Sequence, residues 1–227
     1  MKRKFHVRCE AGENLEITSK SYLSLSDLAD LGTVMPNVYH TKEEMIDCVN
    51  AFYDGMVARS EEMKQHPKYK TGENYAYLGL PPCFLIFDEY VAFFEMLATK
   101  ESMSLLSQLK KIVMLGRQAG YFLIVACQRP DAKYFSDGIR DNFNFRVGLG
   151  RISELGYGML FGSDVKKQFF QKRIKGRGYC DVGTSVISEF YTPLVPKGHD
   201  FLQTIGSLAQ ARQDVTATCE AKGDGTD

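Results

Sequence analysis

Two short stretches of unbroken apolar residues fix most of what this chain can fold into: Cys83 to Phe87 (CFLIF) and Tyr121 to Cys127 (YFLIVAC). A strand with one wet face alternates apolar and polar residues, whereas a strand covered on both faces reads as a continuous apolar run. Helical patterns over 89–98 and 102–118 separate the two runs. A strand-helix-strand order supplies the crossover that parallel pairing requires, so the expected class is α/β with a parallel sheet.

The flanking segments extend this reading. Thr41 followed by Glu44 is a capping-box pattern, and Ile46, Val49, Tyr53, Met56 and Val57 recur at helical spacing. They predict an amphipathic helix over 42–65, ended by Pro67 and Gly72. Phe143 to Leu149 is expected as a third strand, and Ile152 to Phe161 as a short helix closed by Gly162. Residues 179–182 and 186–191 should form a hairpin turning at Gly183-Thr184. Asp200 to Arg212 places Phe201, Ile205 and Leu208 on one helical face. Residues 1–25 are poorly periodic and predict no stable element, while the small polar residues from Asp214 onward predict a frayed end. The expected organisation is a divergent segment over 1–25, a folded body over 26–212 and a polar tail over 213–227.

Composition narrows the function classes. With 227 residues, 44% of them hydrophobic, the chain can bury one sizeable core. Twenty-eight basic residues balance twenty-eight acidic ones, so only a local cluster would report a nucleic-acid face. One cluster stands out: VKKQFFQKRIKGRG over 165–178 holds Lys166, Lys167, Lys172, Arg173, Lys175 and Arg177, no acidic residue, and Phe169 and Phe170 between them. That mixture suits phosphate contacts with aromatic support, and equally a solvated helix face and loop. No apolar run approaches the roughly 20 residues needed to cross a bilayer. Arg8 and Glu10 break up the opening MKRKFHVRCE, which therefore does not read as a secretory signal, and a cytoplasmic chain is expected. Six cysteines without Cys-x-x-Cys spacing, and four histidines without ligand spacing, point away from disulfides and zinc. No nucleophile elbow occurs.

Each apolar run closes on residues able to do chemistry. Asp88 and Glu89 follow the first. In phosphoryl transfer an aspartate at the carboxyl end of a strand orients the magnesium shell, and a neighbouring carboxylate polarises water. Taken alone, the same pair reads as well as an exposed acidic opening to a helix. The second run closes in Gln128-Arg129-Pro130. Gln128 thus stands at the neighbouring strand tip, placed to sense a γ-phosphate or its attacking water, or simply to satisfy loop backbone. Pro130 holds Arg129 extended, so the chain leaves the sheet sharply there.

The stretches LPPCFLIFDEYVAFFEML and GRQAGYFLIVACQRPDAKYFSDGIRDNFNFRVGLGRISE resemble the motor domain of FtsK/SpoIIIE DNA translocases, more narrowly those encoded by integrative conjugative elements. The shared pattern is a Walker B strand ending in Asp-Glu, a basic-Ala-Gly helix end, a strand closing in Gln-Arg-Pro, and an Asn-x-x-x-Arg start to the next strand. It runs from about Asp27 to about Arg212.

The resemblance implies a RecA-like P-loop NTPase fold of three layers with a mostly parallel sheet, and ATP and Mg2+ as cofactors. It implies Asp88 as the metal holder through water, and Glu89, Gln128 and Arg146 as catalytic, Arg146 by its place in Asn142 to Arg146. Arg117, Arg129 and Arg151 would be nucleotide-facing cations, in cis or in trans. Implied partners are double-stranded or transferred DNA, a hexamer-like ring of identical subunits, a relaxase and a membrane transfer apparatus. Full-length relatives would reach the membrane through an amino-terminal region.

In that family a strand, a Gly-rich loop with Lys-Ser/Thr, a helix and a second strand come first. No G-x-x-x-x-G-K-[ST] occurs in these 227 residues, and Lys175-Gly176-Arg177 and Gly148-Leu149-Gly150 are the nearest glycine-rich stretches. The loop's backbone N–H groups and lysine hold the β and γ phosphates. The expectation is therefore a chain unable to hydrolyse ATP alone, with an apolar strand edge left unpaired and poor solubility as a result. The alternative is a truncated remnant acting only as a ring subunit or DNA-binding module.

Overall fold

The computed structural model describes residues 37–128, 130–135, 137–150, 152–162, 165, 176–184 and 186–211. Thr41–Pro193 fall in one unit, and residues 37–40 and 194–211 belong to a second. The expected segments over 1–25 and 213–227 lie outside the described residues.

Helix α1 (Lys42–Gln65) begins at the capping box read from the sequence. The Thr41 side chain accepts the Glu44 N–H at 3.3 Å, and Glu44 Oε2 accepts the Thr41 backbone N–H at 3.2 Å. Its buried residues Val49, Met56 and Met63 repeat every seven positions and form a narrow apolar seam. A β-α-β unit follows: β1 (Cys83–Phe87), α2 (Tyr90–Glu95), α3 (Thr99–Ala119) and β2 (Tyr121–Val125). The strands pair in parallel and in register, from Cys83 opposite Tyr121 to Phe87 opposite Val125. Leu105, Leu109 and Ile112 of α3 are buried with Leu85, Phe87, Tyr90, Phe93 and Phe94 in the main core, which α1 also joins.

Glycine sets the approach of α3 to β2. A Cβ added at Gly116 would lie 2.3 Å from the carbonyl oxygen of Tyr121, a backbone atom that cannot swing aside. Gly120 then turns the chain into β2 with φ of 79°, a conformation that costs glycine little. Gly116→Ala is expected to lower stability by about 1–3 kcal/mol, the usual range for overpacking, as read by urea denaturation.

The second half holds α4 (Asp137–Arg140), β3 (Arg146–Leu149), α5 (Glu154–Phe161), β4 (Arg177–Asp181) and β5 (Ile187–Tyr191). Ser153 caps α5 by accepting the Gly156 N–H at 3.1 Å. The three strands form an antiparallel sheet in the order β3-β4-β5. The third strand therefore starts at Arg146, not Phe143, and among the described residues parallel pairing is confined to β1 and β2. Tyr157, Phe161 and Tyr179 centre a smaller apolar cluster beneath this sheet. In the other unit a helix, α6, spans 201–211, and Asp200 caps it by accepting the Gln203 N–H at 3.0 Å.

Candidate functional site

Parallel, in-register pairing places the carboxyl ends of β1 and β2 side by side, and both polar closings project there. The ladder continues one step past the strands: Ala126 N–H donates to the Phe87 carbonyl at 2.8 Å, and Tyr90 N–H donates to the Ala126 carbonyl at 3.1 Å. Asp88 and Glu89 are thereby held beside Cys127 and Gln128. The Gln128 amide donates to Glu89 Oε1 at 3.2 Å, closing a contact across 39 residues of sequence. Asp88 Oδ1 accepts the Glu89 backbone N–H at 3.0 Å.

Glu89 has φ of 50° and ψ of 44°, the left-handed region, and is the one non-glycine residue with positive φ among those described. That conformation costs a side chain with a Cβ about 1–2 kcal/mol, and such strain concentrates at sites where geometry serves function. Tyr90 anchors the turn from beneath. It is buried, donates its hydroxyl to the Tyr134 carbonyl at 3.3 Å, and packs against Phe87 and Phe94. The Tyr134 hydroxyl in turn donates to Glu95 Oε1 at 2.6 Å.

Both carboxyls are pushed upward in pKa. Burial raises Asp88 above its ordinary 3.8, with the Glu89 N–H pulling the other way. Burial raises Glu89 above 4.5, the Gln128 amide opposes this, and the Asp88 charge adds to it. A carboxyl raised on folding contributes stability that is fully present below the unfolded value and lost as pH rises through the folded value. Asp88→Asn and Glu89→Gln escape that loss. Each variant is expected to gain stability over the wild type as pH rises from about 4 to 7, and to lose that advantage in acid, as read by thermal melts across that range.

A divalent cation would remove the same penalty. Magnesium is commonly held by one or two carboxylates together with substrate phosphates and water. Two half-exposed carboxyls with raised pKa, adjacent at the tip of β1, fit that demand. Among the described residues no group of three or more His, Cys, Asp or Glu side chains could form a complete protein cage for a metal. Water and substrate oxygens would complete the shell of a cation held there.

The remaining candidates that the structure describes, Arg117, Arg146 and Arg177, stand on different elements. Arg117 is exposed in the last turn of α3, beside the amino end of β2. A five-residue strand of about 16 Å separates that end from the Asp88 tip. Arg117 therefore faces a different edge of the sheet from the carboxylates, and its charge there complements the helix dipole. Arg146 opens β3 and has other partners: it donates to Asp181 Oδ2 at 2.8 Å and to the Leu160 carbonyl at 3.2 Å. Arg177 opens β4, pairs with Glu189 and lies 4.9 Å from the centre of the Tyr191 ring. Arg129, Arg151, Lys166, Lys167, Lys172, Arg173 and Lys175 lie outside the described residues.

Asp181 escaped the sequence reading. Its signal is positional only: Arg146 and Asp181 stand opposite each other in the β3-β4 register, which cannot be read without knowing that register.

No family model matches the chain. It is 54% identical over 203 residues to the FtsK domain-containing protein YdcQ of Bacillus subtilis (strain 168), covering 89% of this chain and 42% of that protein. The chain thus spans less than half the length of this curated relative. Three solved structures share the fold. One is the pCW3 conjugation coupling protein TcpA, monomer form with ATPγS (TM-score 0.58, 16% identity, 82% of this chain and 55% of that one). Another is the cytoplasmic domain of the Thermomonospora curvata type VII secretion ATPase EccC (0.53, 18%, 76% and 21%). The third is EssC (ATPases 2 and 3) from Geobacillus thermodenitrificans (0.51, 15%, 77% and 32%). The α/β fold is that of RecA-like P-loop ATPase domains.

Proposed function

Because the chain belongs with the FtsK domain-containing proteins, we propose that it is the magnesium-and-water side of an ATP-driven DNA translocase of the FtsK/SpoIIIE kind, serving conjugative DNA transfer. The observation that carries this reading is the strand-tip constellation of Asp88, Glu89 and Gln128, joined by the 3.2 Å bond between the last two.

In this reading Asp88 holds the magnesium shell through water. Glu89, fixed in its left-handed turn, polarises the attacking water, and Gln128 sets the orientation of the Glu89 carboxylate while standing near the γ-phosphate. Bound magnesium would neutralise phosphate charge as it develops. Arg129 and Arg151 are retained as candidate cations for the nucleotide. Arg117, at the far end of the strand, could serve only a neighbouring subunit's nucleotide in a ring. Arg146 would have to leave Asp181 to act. Lys166, Lys167, Lys172, Arg173 and Lys175 are the proposed DNA contacts, whereas Arg177 is engaged by Glu189. The further proposed partners are identical subunits, a relaxase and the membrane transfer apparatus. Among the described residues no helix is long and apolar enough to cross a membrane.

These 227 residues contain no Gly-Lys-Ser/Thr loop, which favours a chain that does not turn over ATP by itself. The test is a chimera in which this chain replaces the matching 203 residues of YdcQ. Linear duplex DNA is expected to stimulate its ATP turnover. Turnover indifferent to DNA would overturn the translocase reading.

A further inference from the structure

Gln128 is exposed, so its 3.2 Å bond to Glu89 competes with water, and that contact alone does not fix the pair. Glu89 also holds a left-handed backbone, which persists only where the surrounding structure determines it. The geometry must therefore come from the chain that leaves each strand tip. One exit is α2, which starts at Tyr90, directly after Glu89. The other is a turn over 131–135, closely following Gln128, in which the Asp131 carbonyl accepts the Tyr134 and Phe135 N–H groups at 3.0 and 2.9 Å. Asp131 Oδ1 also accepts the Lys133 N–H at 2.9 Å.

A pair of tyrosines fastens the two exits together in opposite senses. Tyr90 of α2 donates its hydroxyl to the Tyr134 carbonyl at 3.3 Å, and Tyr134 of the turn donates its own to Glu95 Oε1, at the far end of α2, at 2.6 Å. Both tyrosines are almost fully buried, at 1% and 2% exposed. Their rings interlock with the opposite element, Tyr90 against Phe135 at 4.7 Å and Tyr134 against Phe94 at 5.4 Å. Helix α2 has only six residues and no side-chain bond at its start, so it is too short to hold its own place. Lys133 adds an exposed ion pair to Glu95 at 3.5 Å, of a kind worth little.

We propose that Tyr134 and Glu95, with Tyr90, are positioning residues for the Glu89–Gln128 pair, a role that rests on the nucleotide reading of that pair. Their reciprocal hydroxyl bonds set the spacing of the two strand exits, and through it the aim of the Glu89 carboxylate at the attacking water. None of the three touches the reacting atoms.

The test is steady-state ATP turnover by the YdcQ chimera with duplex DNA present. Tyr134→Phe keeps the ring and removes the hydroxyl. It is expected to lower kcat by about tenfold, as small misplacements of a reacting group do, with KM for ATP unchanged within about twofold. Glu95→Leu reaches the same bond from an exposed partner, without touching the core, and should match it. Lys133→Met, which removes only the ion pair, should leave kcat within about twofold of wild type. In a Gln128→Ala background Tyr134→Phe should cost less than about threefold more, because residues that act as one unit are not additive. A full tenfold further loss in that background would overturn the proposal. So would a kcat unchanged by Tyr134→Phe, a rise in KM in place of the fall in kcat, or a loss from Lys133→Met equal to that from Tyr134→Phe. Glu89→Gln in the same chimera separates the two levels. If it abolishes turnover while Tyr134→Phe does nothing, the tyrosine role alone fails; if it leaves turnover unchanged, the nucleotide reading fails and takes this role with it.

Discussion

Asp181→Ala is expected to cost about 3–5 kcal/mol of folding stability, the range seen when one partner of a buried ion pair is removed. Asp181 is 4% exposed and Arg146 19% exposed at the side chain, so the arginine left behind cannot regain its water without opening the sheet. Asp181 also accepts the Gly183 N–H at 2.9 Å, so the same substitution loosens the hairpin between β4 and β5. Arg146 ties three elements together: β3 on which it stands, β4 through Asp181, and α5 through the Leu160 carbonyl. Its Nε is buried and has no partner among the described residues. Replacing both members of the pair, Arg146→Met with Asp181→Leu, should recover most of the loss, because well-packed apolar residues substitute for buried pairs at little net cost. Urea denaturation at neutral pH measures all three. A cost below about 1 kcal/mol for Asp181→Ala would mean that the pair is expendable, and would leave Arg146 available for a nucleotide.

The second large effect concerns catalysis. In the YdcQ chimera, Glu89→Gln is expected to lower DNA-stimulated ATP turnover by about 10²–10³-fold, the loss typical of removing one preorganised group that acts on the transition state. The substituted amide can still accept from Gln128 and occupy the same turn, but it cannot take charge from the attacking water. The fold should survive, and by the pH argument it should be slightly more stable at neutral pH than the wild type. A variant that loses turnover and gains stability separates chemistry from unfolding, which a simple loss of activity would not. Turnover unchanged within about threefold would remove Glu89 from the catalytic machinery.

The parts of the fold legible in the sequence were those carried by local pattern. Continuous apolar runs at Cys83–Phe87 and Tyr121–Val125 announced the two strands, although Phe84, Ile86 and Ile124 are exposed on one face where coverage of both was expected, and Thr41 with Glu44 announced the start of α1. The meeting of Asp88, Glu89 and Gln128 was legible for the same reason, since parallel pairing of two equal runs brings both closings to one edge. Nonlocal geometry was not. Phe143 reads as strand because it is aromatic, yet pairing starts only where Arg146 finds Asp181 across the ladder. Arg117 lies four residues before β2 in sequence but at its amino end in space, opposite the site that Gln128 joins. Nor does any pattern in the sequence foretell the left-handed backbone of Glu89, which is imposed by the turn from a strand straight into a helix.

The most direct test of the claim that this chain carries the carboxylate half of a nucleotide site without its phosphate cradle is ATP turnover by the 227-residue chain itself, with and without duplex DNA. The expected result is no turnover above that of its own Glu89→Gln variant. Hydrolysis at tens per second, within the roughly 1–1,000 per second common among enzymes and abolished by Glu89→Gln, would contradict it.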